Sequence, residues 1–301
     1  HFFFSHNLYH NSLVIIIGLA FSIFYILRIY KKFFFKILFI NFLILFIALL
    51  IYKTHDDFPY YHFPYSYYLT QFPMLIGVGQ FNHGFRTPSS IFYLNSLFYL
   101  PLIKYFSFYI GTVLIMGFAN LILISKIYKN FVKEKINYIF YLSILILIFI
   151  NIFFYRIQEH GTDRSAQILI LVLFLQILLF LNLKKNINSD VNHLLIILGL
   201  IISLKAFYVL YLIFFAPILW ILYKRKKLFI VSDIFKNWLF YSFLLMLILI
   251  IIVNFLNTGC LIYPASATCF ENFDWSLGKA EAIRMNDHYQ LWSKAGHNPN
   301  F

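Results

Sequence analysis

Charge is scarce in this chain. Only 12% of its residues are Asp, Glu, Lys or Arg, where soluble globular proteins carry about a quarter. Acids are the scarcer sign, 11 against 24 basic residues. Cysteine occurs twice, at Cys260 and Cys269. Also missing are a Walker-type phosphate loop, a dinucleotide fingerprint, zinc-ligand spacing and a serine-nucleophile elbow. These absences argue against a soluble nucleotide-sugar or ATP site, and the expectation is that any donor arrives through a membrane. No internal repeat or low-complexity linker is evident.

What fills the chain instead is apolar. Hydrophobic residues make up 62% of it, and runs long enough to span a bilayer recur. The fold class expected is all-α, a polytopic transmembrane bundle in contact with the lipid bilayer. Lys, Asn, Ile, Phe and Tyr are abundant together, a mixture that an AT-rich genome produces, so the aromatic excess is not read as a binding signature. The net charge of +13 would suggest nucleic acid in a soluble protein. Here it reads as the positive-inside signal, and no nucleic-acid partner is expected.

Taken in order, residues 1–11 are an interfacial lead-in. Spans are predicted at Leu13–Leu27 and Ile37–Tyr52. A polar stretch follows from Lys53 to Ser90, dense in Pro and Gly (Pro59, Pro64, Pro73, Pro88, Gly77, Gly79, Gly84), which favours loops and short interfacial helices. Ile91–Leu100 is too short to span. Further spans are predicted at Phe106–Ile124, Ile136–Phe154 and Ser165–Leu183. Basic clusters on both flanks of His193–Tyr223 should lie on one side, so this stretch is read as a hairpin of two short helices, Leu194–Ser203 and Phe207–Leu222. Lys205 sits near its outer turn. Trp238–Phe255 is the last span. This divides the chain into a transmembrane domain, 1–256, with an outer catalytic loop at 53–105, and an outer polar segment, 257–301. The first residue is His1 and the last, Phe301, falls in a polar stretch; the expectation is a fragment of a longer protein.

Charge tests this topology. The four inferred cytoplasmic loops hold Arg28, Lys31, Lys32, Lys36, Lys126, Lys129, Lys133, Lys135, Lys184, Lys185, Lys224, Arg225, Lys226, Lys227 and Lys236, fifteen of the 24 basic residues. Of the 11 acids only Glu134, Asp190 and Asp233 fall inside. That asymmetry is what the positive-inside rule expects. Both cysteines fall in the final outer segment with a Pro-containing turn, Tyr263-Pro264, between them, and an oxidising compartment permits a disulfide; the disulfide Cys260–Cys269 is therefore favoured over two free thiols.

Chemistry is expected at the outer edge. Asp56 and Asp57 directly follow a span, flanked by His55 and His62. A carboxylate there can act as general base on an acceptor hydroxyl or hold a divalent cation against a phosphate; a solvated helix end is the bland reading. Asp163 lies in the next outer loop, within Glu159-His160-Gly161-Thr162-Asp163-Arg164. It could converge on the first pair or cap its helix, and the two are compatible. Arg86, Arg164 and Lys205 are cations on the side where charge balance does not call for them, and a phosphate leaving group needs such groups. Snorkelling alone would explain Lys205. His83 and His160 are further substrate-contact candidates.

The acidic pair, the second-loop acid and the hairpin Gly199-Leu200-Ile201-Ile202-Ser203-Leu204-Lys205 together resemble the GT-C superfamily, integral-membrane glycosyltransferases that use polyprenyl-phosphate-linked sugars. The stretch from Gly77 to Ser90, through His83-Gly84-Phe85-Arg86, is similar to a bacterial group of GT-C-like membrane proteins. The Cys260–Cys269 segment with Tyr263-Pro264 looks like that group's outer loop. The resemblance implies transfer of a sugar from a polyprenyl-phosphate carrier to a glycan, lipid or protein acceptor, at the periplasmic face of a bacterial inner membrane. Asp56 or Asp57 would be the catalytic acid-loop residue, Asp163 the second acid and Lys205 a contact to the lipid phosphate. The residues themselves, apart from the resemblance, offer His55, His83, Arg86, His160 and Arg164 as further candidates for substrate contact. Members differ in metal dependence, so a divalent cation, Mg²⁺ or Mn²⁺, is left open. A lipid-linked glycan polymerase or ligase, and a non-enzymatic transporter or flippase, are the competing classes.

Overall fold

The computed structural model describes residues 1–29, 32–50, 54–134, 136–182, 187–224, 226 and 228–294. Lys31, Lys53, Lys135, Lys184, Lys185, Arg225 and Lys227, which enter the charge argument or the polar stretch, lie outside the described residues, as do the last turn of the second predicted span and residues 295–301.

The apolar runs become helices. They are α1 (Leu8–Ile29), α2 (Lys32–Ala48), α5 (Ile110–Val132), α6 (Tyr138–Phe153), α7 (Asp163–Asn182), α8 (Ile187–Leu204) and α11 (Trp238–Thr258). Shorter α3 (Phe63–Gln71) and α4 (Ser90–Ser96) lie in the loop after α2, and α9 (Ala216–Lys224), α10 (Phe229–Phe235) and α12 (Gly278–Ser293) complete the set. No sheet forms among the described residues. Among the described residues four helical stretches are long and apolar enough to cross a membrane, and four further apolar helices are shorter. The protein is a multi-pass helical membrane protein.

Local signals set the ends. The Asn137 side chain accepts from Phe140 N to start α6, and that of Asn237 accepts from Leu239 N to start α11, each satisfying an amide that has no partner within the helix. Gly259, at φ +77°, closes α11 in the left-handed conformation that glycine tolerates.

The bundle is organised about α7. Its Ile168, Val172 and Leu175 pack into one core with α2, α5 and α6. Its Ala166, Ile170, Leu173 and Ile177 pack into another with α8, α11 and the 58–96 region. Each set repeats at three- to four-residue spacing, so two stripes of one helix face two cores. Asn120 and Asn151 exchange side-chain amide hydrogen bonds between α5 and α6 at 3.1 and 3.0 Å, which satisfies polar groups that the apolar interior would otherwise penalise.

Two helical legs meet at Lys205, as predicted, with one difference. The first leg is α8, and Lys205 is the extended residue at the turn. The return leg opens with ten residues of 3-10 helix, Ala206–Phe215, and continues as α9. The sequence predicts two legs too short to span. A 3-10 turn rises about 2.0 Å per residue rather than 1.5, so the 19 residues Ala206–Lys224 reach about 33 Å, enough to cross a hydrocarbon core of about 30 Å.

The loop after α2 is compact. A π-helical turn, Phe58–His62, runs into α3. The 77–90 stretch is clamped to helix ends: Gly77 N donates to Leu256 O at 2.7 Å, Ser89 Oγ to Leu204 O at 2.6 Å, and Asn257 Nδ2 to Phe85 O at 3.1 Å. The lead-in docks on the same loop, with His6 N donating to Leu69 O at 2.9 Å and His6 Nδ1 lying 2.6 Å from Ser96 Oγ. Beyond α11, Cys260 and Cys269 form a disulfide that packs with Tyr263 under Ala282 and Met285 of α12.

Candidate functional site

The π-turn builds the first half of the site. Asp57 O accepts from the amides of Tyr60, Tyr61 and His62, which turns Tyr61 and His62 back towards Asp57. Tyr61 OH donates to Asp57 Oδ2 at 3.2 Å, Asp57 N donates to His55 Nδ1 at 3.1 Å, and that nitrogen is 3.7 Å from Asp57 Oδ2. The rings of His55 and His62 lie 5.0 Å apart. One ligand atom from each of His55, Asp57 and His62 falls within 4.8 Å of the other two, so the three can hold a divalent cation.

The loop between α6 and α7 supplies the second half. His55 N donates to Gln158 O at 3.3 Å, and Gln158 Nε2 to Leu49 O at 2.6 Å. Gly161, at φ +51°, lies against both imidazoles: a Cβ there would come within 2.9 Å of His62 Cε1 and 3.3 Å of His55 Cδ2. Two residues on, Asp163 opens α7, and its Oδ1 accepts from Lys205 Nζ at 2.5 Å and from Tyr208 OH at 3.4 Å. Asp163 is within electrostatic reach of Tyr61 and His62. His55, Asp57, Tyr61 and His62 thus form one cluster and Asp163 with Lys205 a second, and Gly161 lies between them in the chain against the two imidazoles.

Burial sets its electrostatics. His62 is only 6% exposed. Its desolvation, with the neighbouring His55, pushes its pKa down to about 4 against the opposing pull of Asp57 and Asp163, so the ring is neutral at pH 7. Burial also raises the Tyr61 hydroxyl, and Asp57 adds to the rise, which keeps it a donor. A cavity of about 20 Å³ adjoins His62, lined by Ser66, Asn95, Thr112, Gln158 and Gly161 among apolar neighbours. It holds about one water, not a sugar. Asp57, Asp163 and Lys205 are each nearly half exposed, so a large substrate can reach these side chains from outside.

Other sequence candidates lie elsewhere. Asp56 is exposed. Arg86 donates to Gly79 O at 3.0 Å and Tyr263 OH at 3.5 Å and pairs with Glu281 at 2.5 Å, which ties the 77–90 stretch to α12. His83 is 6.3 Å, ring to ring, from Tyr289. His160 is buried with Nε2 at 2.7 Å from Phe154 O, and burial holds its pKa near 4. Arg164 pairs with Glu159 at 2.8 Å, which also holds Arg156 at 3.2 Å. Sequence reasoning misses Tyr61 and Gly161, and it marks His62 only as flanking the aspartates. The i, i+4 step from Asp57 to Tyr61 is the signal that could have found the tyrosine.

The motif glycines have steric reasons. A Cβ on Gly84 would come within 2.1 Å of Tyr61 Cγ, and one on Gly79 within 2.6 Å of Asn257 O. The Gly77–Ser90 stretch therefore positions Tyr61 and fixes the loop to α11 and α8.

Residues 1–300 match the model of a family described as Domain of unknown function (DUF8201), and the chain belongs to that family. No curated protein and no solved structure matches the chain.

Proposed function

We propose that this member of the family transfers a sugar from a polyprenyl-phosphate carrier to an acceptor hydroxyl, at the periplasmic face of a bacterial inner membrane. The observation that supports the reading is that Asp163, paired with Lys205, opens its helix two residues after Gly161, which lies against the imidazoles of the Asp57 cluster. In this mechanism Asp57, oriented by Tyr61, takes the proton of the acceptor hydroxyl as the acceptor oxygen attacks the anomeric carbon. The bond from that carbon to the phosphate oxygen breaks, and Lys205 neutralises the departing lipid phosphate. Asp163 orients Lys205. A divalent cation would add a second neutralising charge beside the phosphate.

An apolar track supports it. Phe207, Leu210 and Ile213 are all exposed and recur every third residue along the 3-10 segment that starts beside Lys205, so they share one face. A polyprenyl chain laid on that face would place its phosphate at the lysine. The same stripe meets bilayer tails when no carrier is bound.

The test uses membranes containing the full chain and radiolabelled polyprenyl-phosphate hexoses, with release of polyprenyl phosphate as the readout. Asp57→Ala should abolish release while leaving expression intact, and Asp56→Ala should retain it. Retained turnover in Asp57→Ala removes that residue from the mechanism. If no hexose donor is consumed by the native chain, the reading fails.

A further inference from the structure

We infer that His55, Asp57 and His62 form a binding site for a zinc-class transition-metal ion. The inference goes beyond sugar transfer and stands on the donor set alone. Two imidazoles are borderline ligands that, with one carboxylate, suit zinc, cobalt or nickel, whereas magnesium asks for six oxygens in near-ideal octahedral geometry. Here only Asp57 offers side-chain oxygen.

Geometry supports the inference independently of composition. The three ligand atoms already lie within 4.8 Å of one another, with His55 Nδ1 and Asp57 Oδ2 at 3.7 Å. A tetrahedral ion with bonds of about 2.1 Å spaces its ligands about 3.4 Å apart, so against a spacing of at most 4.8 Å binding needs a contraction of up to about 1.4 Å. His62 Nε2 is buried and makes no hydrogen bond, an unusual state for an imidazole nitrogen in a residue only 6% exposed. A metal bond would satisfy it. If His55 ligates through Nδ1, the metal replaces the bond from Asp57 N.

The surroundings fit a metal shell. Tyr61 OH holds the Asp57 carboxylate, as hydrogen-bonded outer partners orient metal-binding carboxylates. Gly161 lets the second loop close over both imidazoles where any side chain would collide. Three protein ligands leave a fourth position, which takes water or a substrate oxygen.

The experiment uses the full chain purified in detergent without a polyhistidine tag, stripped with chelator and equilibrated with Zn²⁺ or Co²⁺ in excess Mg²⁺. Expected are one ion retained per chain and, for Co²⁺, the intense visible band of four-coordinate geometry. His62→Gln, His55→Gln and Asp57→Asn should each weaken retention by at least about ten-fold, while His10→Gln, in the separate histidine pile at the N-terminal lead-in, leaves it unchanged. His55 is 36% exposed in its side chain, so His55→Gln decides the question even where His62→Gln fails to fold. Absence of stoichiometric retention, displacement by Mg²⁺, or retention unaltered in His55→Gln overturns the inference. The readout is metal content, so the inference stands if sugar transfer fails; an occupied site engages the Asp57 carboxylate that the proposed transfer uses as base, so stoichiometric retention counts against that role of Asp57.

Discussion

Lys205 Nζ lies 2.5 Å from Asp163 Oδ1, which joins the hairpin turn to the first residue of α7. Asp163 thus begins its helix and faces the lysine at once. Both side chains are nearly half exposed, and exposed pairs contribute about 0–1 kcal/mol. Asp163→Asn and Lys205→Met should therefore shift unfolding by no more than about 1 kcal/mol. Under the proposed reaction each lowers polyprenyl-phosphate release by about 10²-fold or more. The double variant should lose less than the product of the two, because one interaction is removed twice. Thermal unfolding and the release assay on the same preparations check both statements.

Gly84 and Tyr61 make a steric prediction. A Cβ on Gly84 would fall 2.1 Å from Tyr61 Cγ, so Gly84→Ala must displace the ring and break its bond to Asp57. The cost expected for such overpacking is about 1–3 kcal/mol. Tyr61→Phe removes the same hydrogen bond without the collision and should cost about 1 kcal/mol. Denaturation midpoints of the two variants, compared in one detergent, decide whether the collision is felt.

The disulfide closes a short loop of nine residues' separation. By loop-closure entropy it restricts the unfolded segment by about 2–3 kcal/mol. Reduction, or Cys260→Ser with Cys269→Ser, should loosen the segment from Cys260 to α12 while leaving the bundle intact. Limited proteolysis would show new cleavage confined to that segment. Cleavage spread through the spans would contradict the separation of the third core from the other two.

His160 gives a pH dependence. Burial lowers its pKa from 6.5 to about 4 in the folded protein. The unfolded chain takes up a proton at higher pH than the folded one, so stability is full above about 6.5 and falls as pH drops towards 4. His6, buried and likewise lowered to about 4, adds to the same window. His160→Gln should flatten the dependence of the unfolding midpoint between pH 7 and 4, and an unchanged slope would count against the buried neutral ring.

Arg86 and Glu281 tie the 77–90 stretch to α12 at 2.5 Å, with Arg284 on the same carboxylate at 2.7 Å. Burial pushes Glu281 up, but the hydrogen bonds from Arg284 and Arg86 outweigh it and hold the carboxyl below its ordinary value. The tie is thus complete above about pH 4.5 and is lost only as pH falls through the lowered value. Glu281→Gln should speed amide exchange in α12 at pH 7, by an amount that the native chain shows only in acid.

The spans are legible in the sequence because twenty or so consecutive apolar residues have few places to go but a bilayer. Trp238–Phe255 is the span predicted and Trp238–Thr258 the helix observed. The hairpin is legible from charge: basic clusters on both flanks have to lie on one side, and Lys205 falls at the turn. The disulfide follows from two cysteines in one segment. Arg86 shows where such reading stops. Its sign and side are sound grounds for a phosphate contact, yet the structure places it between Gly79, Tyr263 and Glu281, partners up to 195 residues away in the chain.

Hydrophobic length and charge asymmetry are local or additive properties, readable without knowing any contact. Residue order alone therefore specifies a helical membrane bundle, where its polar loops fall and which acids those loops offer. It takes the packed bundle to select Asp57 rather than Asp56 as the partner of His62, to bring Asp163 to Lys205, and to set Gly161 over two imidazoles. Those choices depend on how a π-turn, a helix start and a hairpin turn are brought together by the two cores packed on α7, and no window of sequence contains all three.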